Sequence, residues 1–295
     1  MIYRRRKIKK KLILLADLLA EKKNRYIPIV TIVVFIGLLT YLYLNYGYNE
    51  NIDNIKKDLE KNPTNIENCI RLGNYYYKKA INGKDRKKNM LYYDEIIKYY
   101  CKAIVLDKEE VIDPAIYSRL GIVYFKKSVE SKGNYYYSEA LQELEEAIDR
   151  GYNSYETYLY LGHIFFKDGR YDKAILNYKN ALNIKENDIK VLFNIAWSYK
   201  AKGDYKVAEE EFKKILKQKS ISRKIKLNTY LGLGEVCYYN NLDKEALKYC
   251  KKAIEIDKDS SQAKYWLGKV YLKMGKSKEA KKEWKKIISI DPKGK

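Results

Sequence analysis

One histidine, His163, occurs in 295 residues, which excludes any multi-histidine metal site. The four cysteines, Cys69, Cys101, Cys237 and Cys250, include no Cys-x-x-Cys pair, which argues against structural zinc. Four prolines are too few for a linker-rich or disordered chain. Phe is scarce at six, against 32 tyrosines. No glycine-rich phosphate loop, no dinucleotide fingerprint and no His-Glu-x-x-His helix is present. The nearest approaches to a carboxylate pair, Glu145-Glu146 and Glu209-Glu210-Glu211, are expected on solvated helix faces. The chain therefore reads as a non-enzyme with no catalytic residues, no cofactor and no metal.

Charge is abundant but uneven. Lys and Arg number 60 against 38 acids, a net +22. Residues 1–25 hold ten basic side chains and two acids, while residues 26–48 hold no charge at all. Over the rest, acids and bases alternate as on a solvated surface, so nucleic acid is not expected as a partner.

The uncharged run from Tyr26 to Tyr46 would span about 31 Å as a helix, the thickness of a bilayer's hydrocarbon core. It has no polar face, and Tyr26, Tyr41, Tyr43, Tyr46 and Tyr48 would form an aromatic belt. The apolar stretch is long for a signal peptide, and no small-x-small cleavage site follows it. The expectation is an uncleaved signal anchor over 26–48. Ten basic residues precede it, which places the N-terminus in the cytoplasm and the large domain outside. Ile8, Leu12, Leu15 and Leu19 fall at helical spacing, as for an interfacial helix on an anionic leaflet. A plain basic topogenic flank would look the same.

Beyond residue 65 the sequence repeats itself. Leu72-Gly73, Leu120-Gly121, Leu161-Gly162, Ile195-Ala196, Leu233-Gly234 and Leu267-Gly268 recur, the last four copies 34, 38 and 34 residues apart. A second set follows at Ile96, Ala140, Ala174, Ala208, Ala246 and Ala280. Four residues after each stands a bulkier one: Tyr100, Leu144, Tyr178, Phe212, Cys250 and Trp284. Small residues belong where two helix backbones approach, and large ones fill the space between them. Gly169, Gly203, Gly275 and Asn241 sit where a left-handed residue would end the first helix of a hairpin. NGKDRKKN in copy one and SKGNYYY in copy two read as insertions between the paired helices.

On these positions the chain resembles the tetratricopeptide-repeat (TPR) family across about 66–292. The implied fold class is all-α: one N-terminal transmembrane helix followed by a right-handed TPR α-solenoid of about six helical hairpins. The segments are a basic cytoplasmic segment (1–25), the anchor (26–48), a linker or capping helix (49–65) and the solenoid (66–295). The family often places a proline where Pro292 falls. Cys237 and Cys250 would occupy interior positions on facing helices, either as buried thiols or, in an oxidising compartment, as a disulfide.

The resemblance also implies that the first helix of each hairpin, helix A, lines a concave groove. Groove-facing positions then fall on Tyr77, Lys78, Phe125, Lys126, Phe166, Lys167, Trp197 and Tyr238. An aromatic beside a lysine recurs in the first three copies, which suits extended peptides carrying apolar and carboxylate side chains. His163 falls on the same face, as a plain groove residue. The expected partners are peptide segments of other proteins, with the membrane engaged through one helix. A basic N-terminus, one span and an exported array are similar in layout to ancillary subunits of the bacterial secretion translocon. The alternatives are a cytoplasm-facing adaptor and a binder of anionic polymer through surface lysines.

Overall fold

The computed structural model describes residues 52–131, 133 and 136–290. The basic segment, the span expected at 26–48 and Pro292 lie outside these residues. Among the described residues no helix is long and apolar enough to cross a membrane, and all regular structure is helical. The chain divides into two units, 1–63 and 64–295. In the first, α1 (Ile52–Lys61) occupies the expected linker segment. Asp53 in its first turn and Lys61 in its last complement the helix dipole.

The second unit is six consecutive hairpins. They pair α2 (Ile66–Asn82) with α3 (Arg86–Leu106), α4 (Ala115–Ser131) with α5 (Tyr137–Asp149), and α6 (Tyr155–Lys167) with α7 (Tyr171–Ile184). Then come α8 (Ile189–Lys202) with α9 (Tyr205–Leu216), α10 (Arg223–Tyr239) with α11 (Asp243–Ile256), and α12 (Ser261–Lys273) with α13 (Ser277–Ile290). Each helix packs on the one before and the one after it. Successive A helices also touch, α4 on α6, α8 on α10 and α10 on α12, more closely than any two B helices do. The A helices therefore form the inner side of the stack.

Local chemistry sets the helix ends. Asn65, Ser154, Asp188, Ser222 and Ser260 cap five A helices, their side-chain oxygens accepting backbone N–H groups at 2.9–3.3 Å. Four A helices end through a repeated turn. Gly169, Gly203, Asn241 and Gly275 take φ of 73°, 94°, 59° and 77°, as their sequence positions predict. The residue after each donates its N–H back to the helix, to Phe165, Tyr199, Cys237 and Tyr271 carbonyls at 2.8–2.9 Å.

The small and large positions meet as expected. A Cβ built on Gly121 would come within 2.7 Å of Leu144, and one on Gly234 within 2.7 Å of the Cys250 sulfur. Gly73 faces Tyr100, Gly162 faces Tyr178 and Gly268 faces Trp284 in the same way. Tyr100, Leu144, Tyr178, Phe212 and Cys250 are buried. Trp284 and Ile287 in the last hairpin are only half-buried. The four cysteines are free thiols, with Cys69, Cys237 and Cys250 buried. Burial pushes the Cys237 and Cys250 thiols up to about 12, so both remain protonated and unreactive at neutral pH.

Two expectations are corrected. NGKDRKKN is not a loop insertion: α2 runs for 17 residues and α3 for 21, so the extra residues lengthen both helices. Asp85 makes this work by accepting the Lys87 and Lys88 amides at 2.9 and 3.3 Å, starting α3 at once. Glu209, read as solvated, is buried. Its carboxylate accepts from Lys213 at 2.6 Å and Asn240 at 3.1 Å, which compensates for the loss of water.

Candidate functional site

The inner face is a row of junctions between neighbouring hairpins, each closed by different chemistry. Between hairpins one and two, Asn74 Oδ1 accepts from the Tyr100 hydroxyl at 2.7 Å and from Arg119 at 2.8 Å. The Arg119 guanidinium lies 5.9 Å from the Tyr77 ring centre. Between hairpins two and three, Phe125 packs against Tyr160 at 5.3 Å and His163 at 5.9 Å. Within hairpin four, Trp197 packs on Phe193 and Phe212. Its buried indole N–H has no acceptor among the described residues.

Hairpins four and five are joined by an ion pair. Lys200 Nζ lies 2.5 Å from Glu235 Oε2, each side chain 13% exposed, and Lys200 sits 3.8 Å above Trp197. Burial pulls the Lys200 ammonium pKa down, opposed by Glu235. Hairpins five and six meet through aromatic rings. Trp266 packs on Tyr238 at 5.6 Å and on Tyr239 at 5.9 Å, and Tyr239 stacks on Tyr205 at 4.6 Å. Among the described residues no group of three or more His, Cys, Asp or Glu side chains is arranged to hold a metal ion.

Two half-buried titratable groups sit one hairpin apart. His163 Nδ1 lies 2.9 Å from the Tyr178 hydroxyl, and burial lowers its pKa to about 4. Glu143 on α5 has a buried carboxylate oxygen with no hydrogen-bond partner among the described residues. Burial, then the Glu146 carboxylate, raise its pKa to about 7. The signs oppose each other. A depressed histidine loses stability as pH falls from 6.5 towards 4, because the unfolded chain takes the proton first. A raised carboxyl loses stability as pH rises from 4.5 towards 7, because the folded chain holds its proton longer. Each shift corresponds to about 3 kcal/mol at full extent. Between pH 4.5 and 6.5 the contributions of these two groups to stability are therefore expected to cancel, by denaturant titration of the parent and the variants below. Glu143→Gln should lose stability on acidification over that window, and His163→Gln on alkalinisation. Two variant profiles parallel to the parent's would contradict both assignments.

Comparison with known proteins converges on one repeat. Residues 162–203 match a TPR repeat family model, 189–220 and 227–260 a tetratricopeptide repeat model, and 244–294 another. The matches begin at Gly162, the small residue that faces Tyr178 in hairpin three. Residues 162–294 carry tetratricopeptide repeats. Over 268 residues it is 25% identical to a TPR repeat-containing protein of Methanocaldococcus jannaschii, covering 85% of this chain and 45% of that one. It thus spans less than half the length of this relative. The C-terminal part of a TPR repeat-containing protein from Cytophaga hutchinsonii has a similar fold, with a TM-score of 0.59 at 21% identity. The overlap takes in 87% of this chain and 95% of that one. MamA from Desulfovibrio magneticus, from residue 41 to its end, superposes with a TM-score of 0.52 at 16% identity, over 60% of this chain and 97% of MamA.

In the tetratricopeptide register, the eight sequence-derived groove residues divide by chemistry. Lys78 and Lys167 are exposed, and Lys126 is half-buried. The aromatic members serve the array's own packing. Phe125 is wedged between hairpins, Phe166 packs on Tyr171 at 5.6 Å, and Trp197 covers Phe212. Tyr77 is half-buried under Arg119, and burial pushes its hydroxyl pKa up. Tyr238 alone joins a cluster that still presents large ring areas, with Tyr239 42% and Tyr265 47% exposed. Sequence reasoning missed Glu143, Glu235 and Lys269. The signal for the last two was present, since Glu235 and Lys269 directly follow Gly234 and Gly268, where His163 follows Gly162.

Proposed function

We propose that this protein is a membrane-anchored scaffold. In this reading residues 26–48 hold the array at the cytoplasmic membrane, with the N-terminus inside and the hairpins on the outer face. Extended segments of partner proteins lie along the A helices. The observation that supports it is the arrangement of six hairpins with their A helices on the inner side of the stack. That face carries exposed lysines and tyrosines and no assembled reaction centre. A role in protein export or envelope assembly rests on the layout alone.

Ionic contacts weigh against the polyanion alternative. Lys127, Lys185, Lys202, Lys214, Lys273 and others already sit within 4.0 Å of carboxylates, so the surface is a mixed lattice rather than a basic stripe.

Two measurements test the proposal. Three of the native cysteines are buried, so Lys219→Cys in the exposed loop before α10 supplies an accessible thiol. A membrane-impermeant maleimide should label it in intact cells. Labelling only after lysis would establish the opposite topology. Second, changing Lys78, Lys126 and Lys167 together to Glu should weaken partner capture at least tenfold at low salt, with the difference shrinking as salt rises. Unchanged capture would remove these lysines from the site.

A further inference from the structure

The junction between hairpins five and six differs from its neighbour in one respect. At the preceding junction, a lysine near the end of one A helix, Lys200, is neutralised by Glu235 from the next. One hairpin on, Tyr238 takes the place of Lys200 and Lys269 takes the place of Glu235. The charge at this position is thereby reversed, and its partner becomes an aromatic ring.

Lys269 is framed by rings on three sides. Its Nζ lies 5.0 Å from the Tyr238 ring centre, 5.8 Å from Tyr265 and 4.7 Å from Trp266. Trp266 is only 7% exposed, so its side of the frame is fixed by core packing. Among the described residues no carboxylate or carbonyl bonds to this ammonium. Lys273, one turn further, is the contrast. It donates to the Tyr238 carbonyl at 2.7 Å and Asn241 Oδ1 at 2.8 Å, with Asp243 at 3.3 Å. Lys273 is thus an internal brace that holds the Tyr238 backbone, whereas Lys269 keeps its hydrogen-bonding capacity.

We propose that Lys269, within its frame of Tyr238, Tyr265 and Trp266, is the subsite for an acidic side chain of an extended partner segment. Ring faces attract the cation, and their positive edges, with the three ammonium donors, favour an approaching carboxylate. Partial exclusion of water by the rings strengthens that charge-assisted bond relative to one at an open surface. The exposed faces of Tyr239 and Tyr265 flank the charge and suit apolar side chains next to the acid. This deepens the groove reading and rests on it.

The test uses the full chain in detergent and short peptides of alternating Asp and Tyr, acetylated and amidated at their ends. Matched peptides carry Asn for Asp. The acidic peptide should bind the parent more tightly than its amide counterpart. Lys269→Met keeps the aliphatic stem over the rings and should weaken the acidic peptide about tenfold or more, leaving the amide peptide unchanged. Lys269→Arg should retain most of the affinity. Equal binding of both peptides to the parent, or no effect of Lys269→Met with helicity intact, overturns the subsite while leaving the groove. A further version of the acidic peptide with a free C-terminal carboxylate serves as control, and binding of that version alone also overturns the subsite. Failure of every peptide to bind removes groove and subsite together.

Discussion

Phe212→Ala is expected to cost about 3–5 kcal/mol, the loss typical of a fully buried aromatic. Phe212 is inaccessible to solvent and serves two hairpins. Within its own it meets Trp197 edge-on at 5.9 Å and Phe193 at 6.2 Å. Across the junction it fills the space left by Gly232, where a Cβ would come within 2.5 Å of the ring. The pair offers a sign test. Gly232→Ala in the parent gains about 1 kcal/mol of helix propensity but forces the ring aside, and overpacking of this kind costs about 1–3 kcal/mol. In the Phe212→Ala background the clash is gone, so the same Gly232→Ala change should stabilise. Denaturant unfolding read by circular dichroism, with hydrogen exchange localising the loss to hairpins four and five, measures all four chains. Additive effects would mean that the two residues do not share space. Because neighbours alone contact one another in such arrays, hairpins one and two should keep their protection.

Glu235→Ala is the second large effect, expected near 3 kcal/mol. The cost comes less from the lost attraction than from leaving the Lys200 ammonium in a site where it is 13% exposed without a counter-charge. Burial already lowers the Lys200 pKa even with Glu235 present, and without it the ammonium should release its proton well below the usual lysine range. The double variant Lys200→Met, Glu235→Leu removes both charges and should recover most of the loss, since a desolvated pair is weak as a net stabiliser. If that double variant is as unstable as Glu235→Ala, the pair contributes through its geometry rather than through compensation of charge.

Much of this architecture is written in residue type and spacing. Glycines at 169, 203 and 275 and Asn241 mark turns because their backbones must take positive φ, which these residues tolerate best. The pairing of Gly162 with Tyr178, or Gly121 with Leu144, is legible because helix backbones approach only where a side chain is missing. The candidate site was harder to read. Phe125 and Phe166 sit at the family's groove positions, yet one is wedged between hairpins and the other lies on its own helix B. A list of positions cannot tell a ring that faces solvent from one that meets its neighbour's ring 5–6 Å away. NGKDRKKN misled for a related reason: polar composition signals a long loop, but the Asp85 cap starts the second helix at Arg86 and leaves only residues 83–85 between the two helices.

By itself the sequence determined the repeat, the hairpin count and the turns, because each depends on side-chain size and backbone freedom within a few residues. Only the tertiary structure decided which charges are compensated. Whether Glu209 is solvated or tied to Asn240, whether Lys200 has an acid, and whether Lys269 has rings instead, are settled by residues about 30 positions away. Electrostatic energy depends on distance and burial in space, and neither is local in the chain.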